Sequence, residues 1–369
     1  MSETAVKALS RRNFLTTATL AGGTAMAAPA IATAQGQTTT WRVQTAWGSG
    51  PGLDAFMTWA GGIAERSDGE LAFETFKSGD IAKRFEIYDA IKGGQMEAAH
   101  TFTIDAGNIV PGGVFLSSYP LAMRAPHEWD TFYYALGGLD IARDLYAREG
   151  LFFVGPIHHG PNIIHAKKRI RYLDDFRGLT MRTPGGMVSA LFEAFGAKTV
   201  TLAGNEIMPA FEAGQIDAAD FVGPAINYDY GFSKATNYIS MGPPGFMSVY
   251  QPVDLMDLTV SQAAWDALSP KMKAFLEAEV AHFSDLHHAA VQKADQAAWV
   301  KYEQDGTKVS RLTDADIEAM TRVMGQIWID FATKSPEATR IFQIQLDYMT
   351  SGSLGYVDRT LYDFFSQQL

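Results

Sequence analysis

The spacing of apolar positions alternates between the two-residue period of strands and the three- to four-residue period of amphipathic helices. After a polar lead to Thr40, the predicted elements are a strand at 41–47, a helix at 53–67, a strand at 71–75, a helix near 85–92 and a strand near 98–103. Strands that alternate with helices predict an α/β fold with mostly parallel sheets.

The same alternation is clearest in the middle of the chain. A strand near 151–157 precedes a block at 173–220, which begins with a short strand that ends at Arg182. A Pro-Gly-Gly turn, a helix, a strand and a second helix follow, and the block closes with a strand that ends at Asp220. Arg182 and Asp220 are therefore expected at equivalent carboxyl ends of neighbouring strands, which is the edge where open α/β sheets bind ligands.

The last part of the chain is predicted to be mainly helical. Glycine and proline residues cluster at 242–245, which suits a hinge. Apolar residues then recur at helical spacing over 261–302, which predicts one long helix, or two joined end to end, that could span two lobes. Residues 314–365 predict further helices.

The N-terminus carries the pattern of an export signal. Arg11 and Arg12 precede a small, apolar run at 18–32 that closes with Ala-Thr-Ala at 32–34, so Gln35 is the expected first mature residue. The run is too short and too weakly apolar to span a bilayer stably. We therefore expect export to the periplasm by the twin-arginine route.

Composition and charge narrow the class of protein. The 369 residues include no cysteine, so stability has to come from packing without disulfides, and a lipid anchor on cysteine is excluded. Removing residues 1–34 takes away three basic residues and one acidic residue, which moves the formal charge from −11 to −13 (27 basic against 40 acidic). This balance disfavours nucleic acid and anionic lipid as partners. An anionic ligand needs a strong local positive group, which Arg182 and a bound cation would supply.

The central block resembles the solute-binding proteins of tripartite ATP-independent periplasmic (TRAP) transporters. The residues that carry this resemblance are LDDFRGLTMRTPGG at 173–186, FGA at 195–197 and FEAGQIDAAD at 211–220. The resemblance covers nearly all of the mature chain and is nearest to the members that bind 2-oxo acids and lactate. It implies a two-lobed periplasmic binding-protein fold with hinge strands and a long lobe-spanning helix, no enzymatic activity, and the membrane subunits of a TRAP transporter as partners.

The resemblance also implies how the chain is divided. The expected segments are the signal peptide at 1–34, the first part of lobe I at 35–157, the first part of lobe II at 158–245, the return to lobe I with the start of the long helix at 246–285, and the C-terminal helices at 286–369. These last helices are expected to pack on lobe II. Because relatives that bind 2-oxo acids form dimers through C-terminal helices, a homodimer is also expected.

In the family, an arginine at the place of Arg182 clamps the ligand carboxylate, which its planar fork can bind through two parallel hydrogen bonds. A carboxylate at the place of Asp220 and the next carbonyl, here that of Phe221, hold a cation that also touches the ligand. The amide of Gln251 would complete this set, which suits calcium, with sodium as second choice. Other interpretations are a surface salt bridge for Arg182, a helix cap or turn for Asp220, and an edge-strand amide for Gln251.

Further candidates lie at the expected crossing between the lobes and on lobe I. Asn162 and His159 occupy the place where relatives carry amide side chains that reach ligand and cation, so both are candidate ligand contacts and Asn162 is also a candidate cation ligand. Trp47, Thr101 and Thr103 lie at the ends of predicted strands that reach the same edge of the cleft. They would cap the far end of the ligand, although Trp47 could equally be a core residue.

Histidine pairs are not expected to bind a transition metal. His158 and His159 are adjacent on an extended chain and therefore point in opposite directions. His287 and His288, within the long predicted helix, are most simply packed or facing solvent.

Small 2-oxo or 2-hydroxy monocarboxylates such as pyruvate and lactate are the favoured ligands, because Asp220 would repel a second ligand carboxylate. The alternatives are dicarboxylates or sugar acids, and a sensory binding protein that presents its closed state to a membrane kinase. A hydrolase is disfavoured, since the sequence has no G-x-S-x-G, no H-E-x-x-H and no cysteine nucleophile.

Overall fold

The chain folds around two mixed, mostly parallel sheets, as the alternation of strands and helices predicts. The computed structural model describes residues 38–244, 246–248 and 250–369. The predicted twin-arginine signal, with Arg11 and Arg12, lies outside these residues. Within them, no helix is both long enough and apolar enough to cross a membrane.

The described residues form eleven strands. In chain order they are β1 Thr39–Thr45, β2 Leu71–Phe76, β3 Ala98–Phe102, β4 Leu151–His158, β5 Ile163–Ala166, β6 Thr180–Thr183, β7 Lys198–Thr201, β8 Ala218–Phe221, β9 Tyr238–Met241, β10 Leu255–Ser261 and β11 Lys308–Arg311. The sequence pattern did not predict β11, whose four residues are mostly exposed. By contrast, β3 is buried at every position, as expected for a central strand covered on both faces.

Each sheet contains one reversed strand. The five-stranded sheet of lobe I has the order β2-β1-β3-β10-β4, and the six-stranded sheet of lobe II has the order β11-β9-β5-β8-β6-β7. In lobe I, β10 is antiparallel to both neighbours, and in lobe II the same holds for β5. The other pairings are parallel.

The described helices cover the sheets and fill the C-terminal part of the chain. They are α1 Pro51–Gly61, α2 Ile63–Arg66, α3 Ile87–Lys92, α4 Pro126–Asp130, α5 Gly138–Arg148, α6 Gly186–Ala194, α7 Gly204–Glu212, α8 Pro224–Asp229, α9 Phe232–Ala235, α10 Gln262–Asp266, α11 Pro270–Gln304, α12 Asp314–Ala332, α13 Pro336–Thr350 and α14 Arg359–Ser366. Short 3-10 turns lie at Arg84–Glu86, Thr103–Asn108, Gly113–Leu116 and Leu173–Phe176, and a π-turn lies at Thr131–Ala135.

The helix predicted at 261–302 is divided into α10 and α11. The hydroxyl of Ser269 accepts a hydrogen bond from the amide of Met272 at 3.2 Å, and Pro270 is the first helical residue. A serine N-cap followed by proline is a strong signal for a new helix. The break was therefore visible in the sequence.

The order of strands requires the chain to cross between the lobes after β4, after β9 and after β10. Gly242, Pro243 and Pro244 lie in the second crossing. The third crossing uses α11, whose 35 residues extend over roughly 50 Å. This helix contacts α1 and β4 of lobe I and α8 of lobe II, so it spans both lobes.

The C-terminal helices also pack on both lobes. Helix α12 contacts α6, whereas α13 contacts the 3-10 turn at Gly113–Leu116. Gln345 of α13 is fully buried, donating to the carbonyl oxygen of Phe115 at 2.7 Å and accepting from the hydroxyl of Tyr119 at 2.8 Å. These contacts tie the end of the chain to its first half.

Candidate functional site

Arg182 lies near the carboxyl end of β6, inside the cleft between the two sheets. It is paired with Val200 of β7 on one side and with Ala219 of β8 on the other. Because β6 and β8 are adjacent and parallel, Arg182 and Asp220 reach the same edge of the sheet. The side chain of Arg182 is 1% exposed, which excludes a surface salt bridge.

The guanidinium of Arg182 is held by carbonyl oxygens. Its Nε and Nη2 donate to the carbonyl of Leu202 at 3.0 and 2.9 Å, and its Nη1 donates to the carbonyl of Asp220 at 2.6 Å. These bonds use three of the five N–H groups of a guanidinium and leave one on each terminal nitrogen. Two parallel donors of this kind match the two oxygens of a carboxylate.

Asp220 is fully buried and its carboxylate lacks donors. Neither Oδ1 nor Oδ2 has a hydrogen-bond partner among the described residues. Burial raises the pKa of Asp220 to about 8, against the opposing effect of Arg182. The side chain is therefore neither a helix cap nor a turn residue, and the protein alone stabilises its ionised form poorly.

The two strand-like crossings bring amide side chains to this carboxylate. The amides of His159 and Asp254 are bonded to the carbonyls of Asp254 and Gly160 at 2.9 and 2.8 Å, and the amide of Asn162 is bonded to the carbonyl of Gln251 at 3.1 Å. The Asn162 side chain also donates to Oε1 of Gln251 at 2.8 Å, while its own Oδ1 has no partner among the described residues. Gln251 is fully buried and lies outside the strands, so it is not an edge-strand amide.

A small cavity lies among these residues, although Asp220 itself is not part of its lining. It is lined by Arg182, Asn162, Gln251, Phe221, Arg84 and Asp254, together with four apolar or proline residues. Asp254 is almost fully buried, and burial raises its pKa to about 7. The small cavity thus brings a charged guanidinium, two amides and a carboxyl group together.

Arg84 forms the lobe I wall and was not identified from the sequence. Its Nε and Nη2 donate to the two carboxylate oxygens of Asp105 at 2.8 and 2.9 Å, and its guanidinium carbon lies 4.7 Å from the ring centre of Phe102. Both charged side chains are buried. No local pattern marks this pair, because its members are brought together by a turn and a strand end.

Four predicted contacts on lobe I and at the crossing do not line the small cavity: Trp47, Thr101, Thr103 and His159. Phe102 lines it, whereas Thr101, its neighbour on β3, points to the opposite face, and Thr103 begins the next 3-10 turn; both threonines are buried elsewhere. His159 is fully buried, behind Trp47, with 4.8 Å between their ring centres. The structure therefore brings neither threonine nor His159 to the small cavity.

Trp47 lines a second, larger cavity of about 250 Å³, which shares Arg84, Phe102 and Phe221 with the small one. The indole packs edge-on against Phe102, with 5.0 Å between ring centres. Trp47 is thus both a buried packing residue and part of the wall of the cleft.

The histidines near the crossing hold the long helix in place. Nδ1 of His287 lies 2.9 Å from the carbonyl oxygen of His158, and Nδ1 of His288 lies 3.0 Å from that of His159. His287 is packed, as expected. Among the residues that the structure describes, no three His, Cys, Asp or Glu side chains are grouped closely enough to hold a metal ion. A cation at Asp220 would therefore depend on this one carboxylate together with amide and carbonyl oxygens.

The family model of the bacterial extracellular solute-binding proteins, family 7 (DctP), matches residues 46–335, which include both lobes and all three crossings. The chain belongs to this family of TRAP solute-binding proteins. Its members serve transporters and are not enzymes, and membership implies a periplasmic protein.

Individual relatives agree with this assignment. A monocarboxylate 2-oxoacid-binding periplasmic protein of Nostoc is 24% identical over 307 residues, 82% of each chain. A TRAP solute-binding protein of Bordetella bronchiseptica, with copurified calcium and picolinate, has a TM-score of 0.77 at 22% identity and covers 90% of this chain and 98% of its own. A protein of Pseudoalteromonas atlantica with bound sodium and pyruvate has a TM-score of 0.75, also at 22% identity, and covers 86% of this chain and 98% of its own. The two solved structures share the two-lobed fold with this chain.

Proposed function

We propose that this chain binds a small 2-hydroxy or 2-oxo monocarboxylate, such as lactate, pyruvate or a related keto acid, for uptake by a TRAP transporter. The observation that carries the proposal is the buried guanidinium of Arg182, bound by carbonyl oxygens and retaining one N–H donor on each terminal nitrogen. A ligand carboxylate would both use these donors and neutralise the buried charge. The relatives that contain pyruvate or bind 2-oxo acids support this choice of ligand.

A bridging cation completes the proposed site, and the balance of charge favours calcium. Asp220 Oδ1, Asp220 Oδ2 and Asn162 Oδ1 are buried oxygens without a donor among the described residues, and such atoms suit a hard cation. The carbonyl of Phe221 and the amide of Gln251 are the further proposed ligands.

The charges around the small cavity favour a divalent ion. Arg84 and Asp105 cancel each other. A bound cation would ionise Asp220 and Asp254 despite their raised pKa values, so that Arg182 stands against two carboxylates and the sum is −1 (one positive, two negative). A monocarboxylate makes this −2. Calcium restores neutrality, whereas sodium, which occurs in the Pseudoalteromonas relative, leaves one negative charge.

Dicarboxylates and sugar acids are the second candidate class. A second ligand carboxylate would need a second free positive group, but Arg84 already donates two bonds to Asp105. It would also lie close to Asp220 and Asp254. The distribution of charge therefore supports a monocarboxylate.

Removal of the cation tests this proposal. We expect affinity for pyruvate or lactate, measured by titration calorimetry, to fall sharply in excess chelator and sodium-free buffer and to return when calcium is added. Asp220→Asn should lose more affinity than Gln251→Ala, since only the first substitution removes a charge. Equal affinity with and without chelator would show that no cation takes part.

Three finer parts of the function stay predictions. They are docking to the membrane subunits of a TRAP transporter, export by the twin-arginine route and a homodimer. Light scattering at micromolar concentration tests the dimer, and a monomer mass would refute it. Replacement of Arg11 and Arg12 by lysine tests the export route, because periplasmic material should then disappear.

A further inference from the structure

The larger cavity continues the proposed ligand site outwards along the cleft. It shares the side chains of Arg84, Phe102 and Phe221 with the small cavity, so the two cavities are adjacent. Its volume is about 250 Å³. The methyl group of pyruvate or lactate would leave nearly all of this space to water.

The inner walls of the larger cavity are aromatic and come from both lobes. Lobe I supplies Trp47 and Phe102, with ring centres 5.0 Å apart, and lobe II supplies Phe221 and Tyr230, with ring centres 5.6 Å apart. Trp47, Phe102 and Phe221 are buried and Tyr230 is partly buried. Two aromatic pairs that face each other across a closing cleft suit a flat, apolar group between them.

Apart from Arg84, the charged and amide residues of this cavity lie at its rim. Lys83, Glu86, Asn205 and Glu206 are exposed at its mouth. Arg84, in the wall, is already neutralised by Asp105. The interior therefore has no free charge for an ionic substituent, whereas the rim would keep the mouth hydrated.

Two glycines keep this space available. A Cβ atom at Gly204 would lie 2.8 Å from the ring of Phe221, so a larger residue there would displace that ring. At Gly48 a Cβ atom would meet only the hydroxyl of Tyr230, at 3.7 Å. A longer side chain at position 48 is therefore accommodated by the backbone and would enter the cavity.

We infer that the ligand is a 2-oxo or 2-hydroxy monocarboxylate with an aromatic side chain, whose carboxylate meets Arg182 and whose ring occupies the larger cavity between the Trp47–Phe102 and Phe221–Tyr230 pairs. This inference rests on the proposed function and names the substrate class of the same site. Stacking on the aromatic walls, together with the apolar surface that the ring buries, gives an expected gain of at least about tenfold in affinity over pyruvate.

The test compares pyruvate, 4-methyl-2-oxopentanoate and phenylpyruvate by calorimetry on the calcium-loaded protein. We expect affinity to rise in that order, with phenylpyruvate at least about tenfold tighter than pyruvate. Gly48→Leu should weaken phenylpyruvate binding at least tenfold and so abolish its advantage over pyruvate. Gly61→Leu is the matched control, because Gly61 is exposed, has no atom within 4 Å of a new Cβ and lies away from the cavity.

The possible outcomes separate this inference from the proposed function. Pyruvate binding without any preference for phenylpyruvate, or a stronger preference for the branched aliphatic acid, would overturn the aromatic subsite and leave the monocarboxylate function intact. Wild-type phenylpyruvate affinity in Gly48→Leu would overturn the placement of the ring. Failure of all three acids to bind would refute the function and the subsite together.

Discussion

The two lobes each bury an arginine in the wall of the same cavity, and they neutralise it in different ways. Arg84 of lobe I donates two hydrogen bonds to the carboxylate of Asp105. Arg182 of lobe II donates to carbonyl oxygens of Leu202 and Asp220. A carboxylate partner cancels the charge, whereas carbonyl partners satisfy hydrogen bonds and leave the charge in place. The lobe II wall therefore keeps a positive charge that suits an anion, whereas the charge on the lobe I wall is already cancelled.

The direction of the pKa shifts follows the same difference. Burial lowers the pKa of Arg182 to about 9. Burial also acts to lower the pKa of Arg84, but the charge and the hydrogen bonds of Asp105 outweigh it, so that this pKa is raised. An anionic ligand would act on Arg182 as Asp105 acts on Arg84.

The largest effect is expected on stability, from breaking the lobe I pair. Arg84→Met leaves the carboxylate of Asp105 buried without its partner, which should lower the free energy of unfolding by roughly 3–5 kcal/mol. Urea denaturation measures this. The double variant Arg84→Met with Asp105→Leu removes both charges and should recover most of the loss. A single variant as stable as the wild type would show that the pair does not compensate buried charge.

The next effect is expected on binding, from lobe II. Arg182→Ala removes a charge-assisted bidentate contact worth about 3 kcal/mol, or over a hundredfold in affinity for the carboxylate. Arg182→Lys keeps the charge and loses the fork, so its affinity should lie in between. Calorimetry measures both variants, with circular dichroism to confirm folding. Unchanged affinity in folded Arg182→Ala would contradict the assignment of the clamp.

The smallest effect is expected on stability, when a buried aspartate is replaced by asparagine at each of two positions. The carboxylate of Asp257 accepts hydrogen bonds from the neutral hydroxyls of Thr259 and Tyr146, and burial raises the pKa of Asp257 to about 7. A raised pKa means that its contribution to stability is present below about pH 4, the usual pKa of aspartate, and is lost as pH rises through about 7. Asp257→Asn should therefore stabilise the protein at pH 8 by roughly 1–3 kcal/mol and flatten the pH dependence.

Asp105→Asn is the matched control for this prediction. The carboxylate of Asp105 has an ionic partner, so the same change should destabilise the protein at pH 8. Thermal unfolding from pH 5 to pH 8 compares the two variants. Destabilisation in both would mean that hydroxyl donors stabilise a buried carboxylate as well as a guanidinium does.

The fold and the lobe II wall could be predicted because their signals are local. The block at 173–220 alternates strands and helices over short distances, and parallel pairing of β6 with β8 then places Arg182 beside Asp220. The lobe I wall depends on residues that are distant in sequence. No sequence pattern near Arg84 indicates that it pairs with Asp105. Similarly, Phe102 lines the small cavity, whereas Thr101 and Thr103, one residue to either side, do not.

The contacts of α11 with the first crossing fix one point at which the two lobes are joined. Ser284, His287 and His288 hold the peptide groups of His158 and His159 against one rigid helix. Asn162, three residues beyond His159, is bonded to Gln251 of the second crossing, so the proposed cation ligands lie close to this fixed point. Any rotation of one lobe about this point moves its outer rim further than the proposed ligand site, because displacement grows with distance from the axis.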